Sequence, residues 1–292
     1  MPGDDAHHVS LSVEDGVHDE IQAGFAGKVL HLLAAGCVDL AQLLLCCTEQ
    51  VHLSSRLAQK LIHYLATATR WGTGYAIDAR LRPSGGQGAL VISYDAYASY
   101  QLERAAPWEH LALMRCRALA GNVAAATATL EKVQSAVRAR EEPPWGAVAE
   151  LRSRIAAERT REAPGQVAVK TGVGGLMDVD FLAAGALLEH RGTVELPAVP
   201  DMLRAAVPGA RVEALIEAYE FLRVVEARMR WVAGRPVEVL DSDPEGFAVV
   251  AELVETGLDA AGLRQRAAQA RGEIAALCES VLTTNSINSL AA

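Results

Sequence analysis

From Tyr94 to the end of the chain, apolar residues recur at intervals of three and four, the period of a helix with one buried face. The pattern breaks only where Pro and Gly cluster: Glu141–Trp145, Pro164–Gly175, Gly192–Pro200, Pro236–Pro244 and near Gly257. Helices joined by such short connections pack as antiparallel neighbours, so this stretch reads as a helical bundle. Its clearest member carries Val212, Leu215, Ile216, Tyr219, Leu222, Met229 and Val232 on one stripe. Glu226 falls in the same stripe and requires a buried partner, for which an arginine of the same bundle is expected. With hydrophobic residues at 51% and aromatics at only 5%, the composition favours helices over a β-sandwich or barrel. The 292 residues suggest about two domains.

Charge excludes several classes of function. Lys and Arg number 27 against 36 Asp and Glu, a net −9 with no domain-sized basic stretch, so a protein that coats nucleic acid is not expected. The most apolar run, Val29–Cys47, is interrupted by His31, Asp39 and Gln42, each costly at bilayer depth, and no membrane partner is expected. The first residues carry Asp4, Asp5, Glu14 and Asp15 where a secretory leader needs positive charge. Five cysteines without CxxC spacing read as reduced thiols, with the adjacent Cys46 and Cys47 read as apolar packing, and the expected location is cytoplasmic.

The first third is organised differently. Residues 1–20 read as a loose acidic leader, and Val29–Cys47 as either a buried helix or a strand–turn–strand piece. Over Ser54–Ala66, Leu57, Leu61, Ile62 and Leu65 form the apolar side of a helix with Ser54 or Ser55 as N-cap. Tyr75–Arg82 then alternates with period two, which predicts a strand closed by Pro83. Ser84–Gly88 is a turn, lacking the Gly-Lys-Ser/Thr ending of a phosphate loop, and Ala89–Ser93 is a second strand completing a hairpin. Asp78, Arg80 and Arg82 leave the first strand from one face, about 6–7 Å apart. Two readings stay open at this point. The row is a salt-bridged sheet face, or Asp78 holds magnesium while the planar forks of Arg80 and Arg82 meet a polyphosphate.

The run from Tyr75 to Gly121 resembles the glutamine synthetase adenylyltransferase family. The matching residues are Tyr75, Asp78, Arg80, Leu81, Arg82, Pro83, Ser84, Gly85, Gly88, Leu90 and Val91, then Tyr100 and Gln101, then Trp108, Glu109, His110, Ala112, Leu113, Arg115 and Arg117. The Trp-Glu-His form is more like the C-terminal, adenylylating half of that bifunctional enzyme than its deadenylylating half, and it argues against a third reading, a relative of the uridylyltransferases that share the fold. Arg56–Ile62 is similar to a further family helix. Lys170, Gly174, Gly175, Asp178 and Asp180 are similar to its glycine-acid segment, and Leu222, Arg223 and Glu226 to a later helix.

The resemblance implies a mainly α chain, a small α/β nucleotidyltransferase-like domain over 21–122 followed by an all-α helical bundle over 123–283, while the small, polar residues 284–292 are expected to form a frayed tail. It implies transfer of AMP from ATP to a tyrosine of glutamine synthetase, with Mg2+, in bacterial nitrogen regulation. The implied partners are glutamine synthetase and a nitrogen-status signalling protein. Asp78 would be a catalytic, metal-holding carboxylate, with Arg80 and Arg82 binding the triphosphate. Two further carboxylates belong upstream, and there the sequence departs from the pattern. Alignment by eye puts Asp39 on the first position, where it is either a metal ligand or a helix surface acid, and Ala41, which cannot ligate a metal, on the second. An inactive homologue that binds glutamine synthetase without chemistry is therefore the alternative. His110 is expected to hold a helix end, with proton carriage the other reading, and Gly174-Gly175 to feed a helix whose dipole favours acids in its first turn.

Overall fold

The computed structural model describes residues 45–47, 51–68, 70, 79, 82–118, 121–140, 142–160, 162–163, 165–190, 198–235, 237, 239–240 and 244–291. The expected leader, most of the Val29–Cys47 segment and nearly all of the Tyr75–Arg82 strand lie outside these residues. What is described is mainly helical, and the chain divides into two compact units: residues 1–98 with 117–131, and residues 99–116 with 132–292.

In the first unit, β1 (Leu45–Cys47) pairs in parallel with β2 (Val91–Ser93), Leu45 facing Val91 and Cys47 facing Ser93. A parallel pair requires a long crossover, and the connection contains α1 (Val51–Ala66), which packs on both strands. Ala58 and Leu65 are buried and Leu57, Leu61 and Ile62 half-buried, the stripe that the spacing predicts. The N-terminus differs from expectation. The helix begins at Val51, so Ser55 lies within it and its hydroxyl donates to the Val51 carbonyl at 2.7 Å rather than capping. The strand expected at Ala89–Ser93 is present as β2, and among the described residues its neighbour is β1. The Ser84–Gly88 turn is a short 3-10 turn opened by Ser84 in the left-handed region, at φ 62°.

α2 (Tyr94–Glu103) leads out of the first unit, and α3 (Pro107–Leu113) belongs to the second. α4 (Val123–Arg138) and α5 (Trp145–Glu158) follow. α6 (Leu176–His190) then lies at the centre of the second unit. Leu176, Val179, Leu182, Ala183, Ala184, Ala186 and Leu187 are all buried, as expected of a helix apolar on every side. α3, α5, α7 (Val199–Ala206), α8 (Ala210–Ala233) and α10 (Ala260–Thr284) pack around it, and α9 (Pro244–Val254) packs on α8 and α10. Gly185 sits in mid-helix at a cost of about 1 kcal/mol relative to Ala. Its reason is Trp145, whose ring would lie 2.7 Å from a Cβ there.

Each Pro/Gly cluster named above does separate two helices. Three details differ. Val232 is 42% exposed because its helix ends one residue later, so it leaves the stripe. Two-residue strands, β3 (Val167–Ala168) and β4 (Val239–Leu240), pair antiparallel inside the helical part, and two residues are too few to show a period. The tail, expected to fray, is docked. Ile287 and Leu290 are fully buried on a 3-10 turn, and Glu189 accepts from Ser286 Oγ at 2.5 Å, Ile287 N at 2.9 Å and Trp145 Nε1 at 2.6 Å. Cys116 and Cys278 are free thiols, and burial pushes the Cys278 pKa up to about 12. Among the described residues no helix is long and apolar enough to cross a membrane.

Replacement of Ile287 by Ala should cost about 2–5 kcal/mol in urea denaturation, the cost of emptying a buried site. Val224→Ala, at a site 40% exposed, should change stability by about 0.5 kcal/mol or less. A tail that frays would make the two substitutions equal.

Candidate functional site

The glycine-acid segment forms a tight loop before α6. Gly172 N donates to the Ala168 carbonyl, Gly175 N to Gly172, and Leu176 N to Val169, all between 2.8 and 3.1 Å. Gly174 has φ +73°, and a Cβ there would stand 1.9 Å from the Arg271 carbonyl of α10. Gly174 therefore lets the loop lie directly on the backbone of α10, while Gly175 lets the loop close on its own carbonyls of Val169, Lys170 and Gly172. Arg271 also reaches over the loop. Its Nε donates to the Val173 carbonyl at 3.0 Å and its fork grips Glu162 at 2.6 and 3.0 Å, which holds the Glu162 carboxyl below its usual range.

Asp178, in the first turn of α6, points back into this loop. Arg152 of α5 meets both its oxygens, at 2.6 and 2.5 Å, and Gly174 N donates to Oδ2 at 2.7 Å. With only 8% of the side chain exposed, burial raises the Asp178 pKa against the opposing pull of Arg152. The paired charges make the position tenable. Two residues on, Asp180 faces another way. It accepts from Tyr219 Oη of α8 at 3.2 Å and lies 3.6 Å from Arg115 Nη1. Arg223 and Lys170 add positive potential around it, while burial raises its pKa and that of the Tyr219 hydroxyl.

Arg115, Lys170, Asp180 and Arg223, drawn from three separate motifs, thus converge in the second unit. Arg115 and Arg223 are 46% and 47% exposed, so two planar forks beside a single carboxylate can meet an anionic group. Glu226, at the foot of this cluster, is buried and has the arginine partners the sequence requires: Arg223 and Arg230, each at 2.9 Å on the same helix.

The Tyr-Gln and Trp-Glu-His motifs hold each other. Glu109 accepts from Tyr100 Oη at 2.9 and 3.1 Å and from Ala106 N at 2.8 Å, which secures the start of α3. His110 is buried, and its Nε2 donates to the Gln101 carbonyl at 2.9 Å in the neutral ring. This is the helix-holding role expected of it.

Of the residues proposed from sequence for nucleotide and metal, only Arg82 is among the described residues; Asp78, Arg80, Asp39 and Ala41 lie outside them. Arg82 clamps its own turn, donating from Nε to Gly88 at 3.0 Å, from Nη1 to Ala79 at 2.7 Å and from Nη2 to Gly86 at 3.0 Å. Among the described residues no three His, Cys, Asp or Glu side chains are placed to hold a metal ion. Sequence reasoning missed Arg152, Glu162 and Arg271. Their partners lie 26 and 109 residues away, and no local pattern marks such a pair.

Burial lowers the His110 pKa from 6.5, with Arg140 adding to the effect and Glu109 opposing it. Below about pH 6.5 the unfolded chain therefore binds a proton that the folded ring refuses, and stability falls as pH drops toward the folded-state value. Acidification from about pH 7.5 to about 5.5 should lower Tm, and His110→Gln should remove part of that fall. An identical fall in both chains would contradict the assignment.

Residues 47–132 match the glutamate-ammonia ligase adenylyltransferase family, and residues 148–282 match the GlnD PII-uridylyltransferase family. Asp78, Arg80 and Arg82 fall inside the first span and Asp39 and Ala41 before it; Trp108-Glu109-His110 lies outside the second. The chain is 44% identical over 172 residues to the bifunctional glutamine synthetase adenylyltransferase/adenylyl-removing enzyme of Xanthomonas axonopodis pv. citri, covering 56% of this chain and 17% of that protein. The enzyme of the same name from Stenotrophomonas maltophilia (strain K279a) is 38% identical over 183 residues, 58% of this chain and 19% of that one. That from Pseudomonas syringae pv. tomato is 30% identical over 209 residues, 68% and 21%. The chain spans about a fifth of the length of these curated relatives. By these matches and by its motifs, it is a relative of the bifunctional glutamine synthetase adenylyltransferase/adenylyl-removing enzymes.

Proposed function

We propose that the chain is an adenylyltransferase-like protein that transfers AMP from ATP to a tyrosine of glutamine synthetase in nitrogen regulation. The observation that carries this reading is the Asp78-Ala79-Arg80-Leu81-Arg82 row, which keeps its family residues inside the span matched by the adenylyltransferase family. In the reaction, the tyrosine oxygen bonds to the α-phosphorus, the bond to pyrophosphate breaks, and the hydroxyl proton is lost. Asp78, with Asp39, would hold Mg2+, which supplies neutralising charge for the triphosphate. Arg80 would meet phosphate oxygens. Arg82 has five N–H donors, three of them on turn carbonyls, so it would fix the turn beside Arg80 and offer the remainder to phosphate. The reading divides the chain into a reduced nucleotidyltransferase-like domain over 21–122 and a helical domain over 123–283. The exposed forks of Arg115 and Arg223, both in the second compact unit, would present that unit to an acidic surface of the protein substrate, in a cytoplasmic setting.

A second reading has its own observation. The alignment by eye puts Ala41 at a position where the family has a carboxylate, and the adenylyltransferase match begins only at residue 47. On that reading the chain is an inactive homologue that binds glutamine synthetase, or a nitrogen-status signalling protein, without chemistry.

Incubation with labelled ATP, Mg2+ and glutamine synthetase separates the two. Transfer predicts label on the synthetase that is lost with Asp78→Asn. Retained synthetase binding without label supports the inactive homologue, and neither label nor binding contradicts both readings.

A further inference from the structure

Arg138 closes α4 as a largely buried cation with no ion-pair partner among the described residues. It is 8% exposed, and among the described residues it makes no hydrogen bond, ion pair or ring contact. A guanidinium stays charged at any pH a protein meets, so neutralisation by proton loss is closed to it. With so little of the residue open to water, solvent compensates that charge only in part. The carbonyl end of α4 offsets part of this, since Arg138 lies in the last turn, where the helix dipole favours a cation.

The space in front of it is a partly open cavity of about 130 Å³, lined by Arg138, Arg140, Pro143, Leu188, Glu189 and Asn285 among others. None of the Arg138 nitrogens is sealed from a solvent-sized probe, so the residual exposure of this residue includes its charged end. The cavity is several times larger than the ~10–15 Å³ one water needs, and smaller than the ~300 Å³ and upward of drug-sized pockets. Glu189 is already engaged: its two oxygens accept from Trp145, Ser286 and Ile287. Glu142 is exposed and makes no ion pair with Arg138. Pro143 and Pro144 bring no N–H groups. The donors facing the cavity are therefore the Arg138 fork, the N–H groups of Arg140 not used on the Leu102 carbonyl, and the Asn285 amide.

We propose that this cavity is a binding site for a small oxyanion, a carboxylate or a phosphate group, gripped by the Arg138 fork with Arg140 and Asn285 beside it. Parallel N–H bonds of a guanidinium match two oxygens of either group, which a halide cannot reproduce. Bound there, the anion joins the end of α4 to the end of α10 through Asn285, with Leu188 and Glu189 of α6 only lining the cavity beside it. Its occupancy would thus be read as stability of the helical unit, and the site stands apart from the adenylyl transfer proposed above.

The test is thermal unfolding of the full chain titrated with inorganic phosphate or with acetate, against sodium chloride at matched ionic strength. A saturable rise in Tm with either oxyanion, absent with chloride, is expected, and the two arms tell phosphate from carboxylate. Arg138→Met, which also removes an unpaired buried charge, should keep or raise the unliganded Tm and weaken the oxyanion response at least tenfold. Arg138→Lys keeps the charge, loses the fork, and should show the same loss, so the proposal remains testable where one variant fails to fold. No oxyanion-specific rise in the wild-type chain, or an unchanged midpoint in either folded variant, overturns it.

Discussion

The helical unit is organised around one buried carboxylate. Asp178 opens the central helix α6, takes both arms of Arg152 from α5, and accepts the Gly174 amide of the loop that rests on α10. One side chain thus joins two helices and a loop. Burying the acid is costly without these partners, and removing Arg152 leaves the buried carboxylate without its counter-charge. Gly174 belongs to the same constraint: a side chain there would lift the loop off Arg271 and carry its amide away from Asp178.

The same device recurs through the unit. Glu162 is held by Arg271, Glu226 by Arg223 and Arg230, and Glu189 by an indole, a hydroxyl and a backbone amide. Asp180 lies near Lys170 and between Arg115 and Arg223, whose side chains remain partly open. Arg138 inverts the pattern, being a buried cation beside acids that are engaged elsewhere or exposed. The contrast separates places where charge fixes the fold from places where charge is left to meet something else.

How much of this the sequence announces depends on distance along the chain. Helix limits in the second unit are legible because Pro and Gly break helices locally, and β3 and β4 are not, because two residues carry no period. The partners of Glu226 are legible, three and four residues away on its own helix. The partner of Asp178 is 26 residues away and its position is decided by packing alone. The docked tail was hidden by its small polar composition, yet Ile287 and Leu290, three apart, are the apolar pair that anchors it. Of the candidate sites, the cluster around Asp180 was readable residue by residue from motifs, but not as one place. Asp78 and Arg80 remain a reading of the sequence, since both lie outside the described residues.

The central claim, that Asp178 and Arg152 form the coupled pair around which the unit is built, is tested most directly by a double-mutant cycle in urea denaturation. Arg152→Met alone is expected to cost about 3–5 kcal/mol, because it strands a buried carboxylate, and adding Asp178→Leu should recover much of that loss. Single substitutions that each cost about 1 kcal/mol or less and simply add would contradict the account.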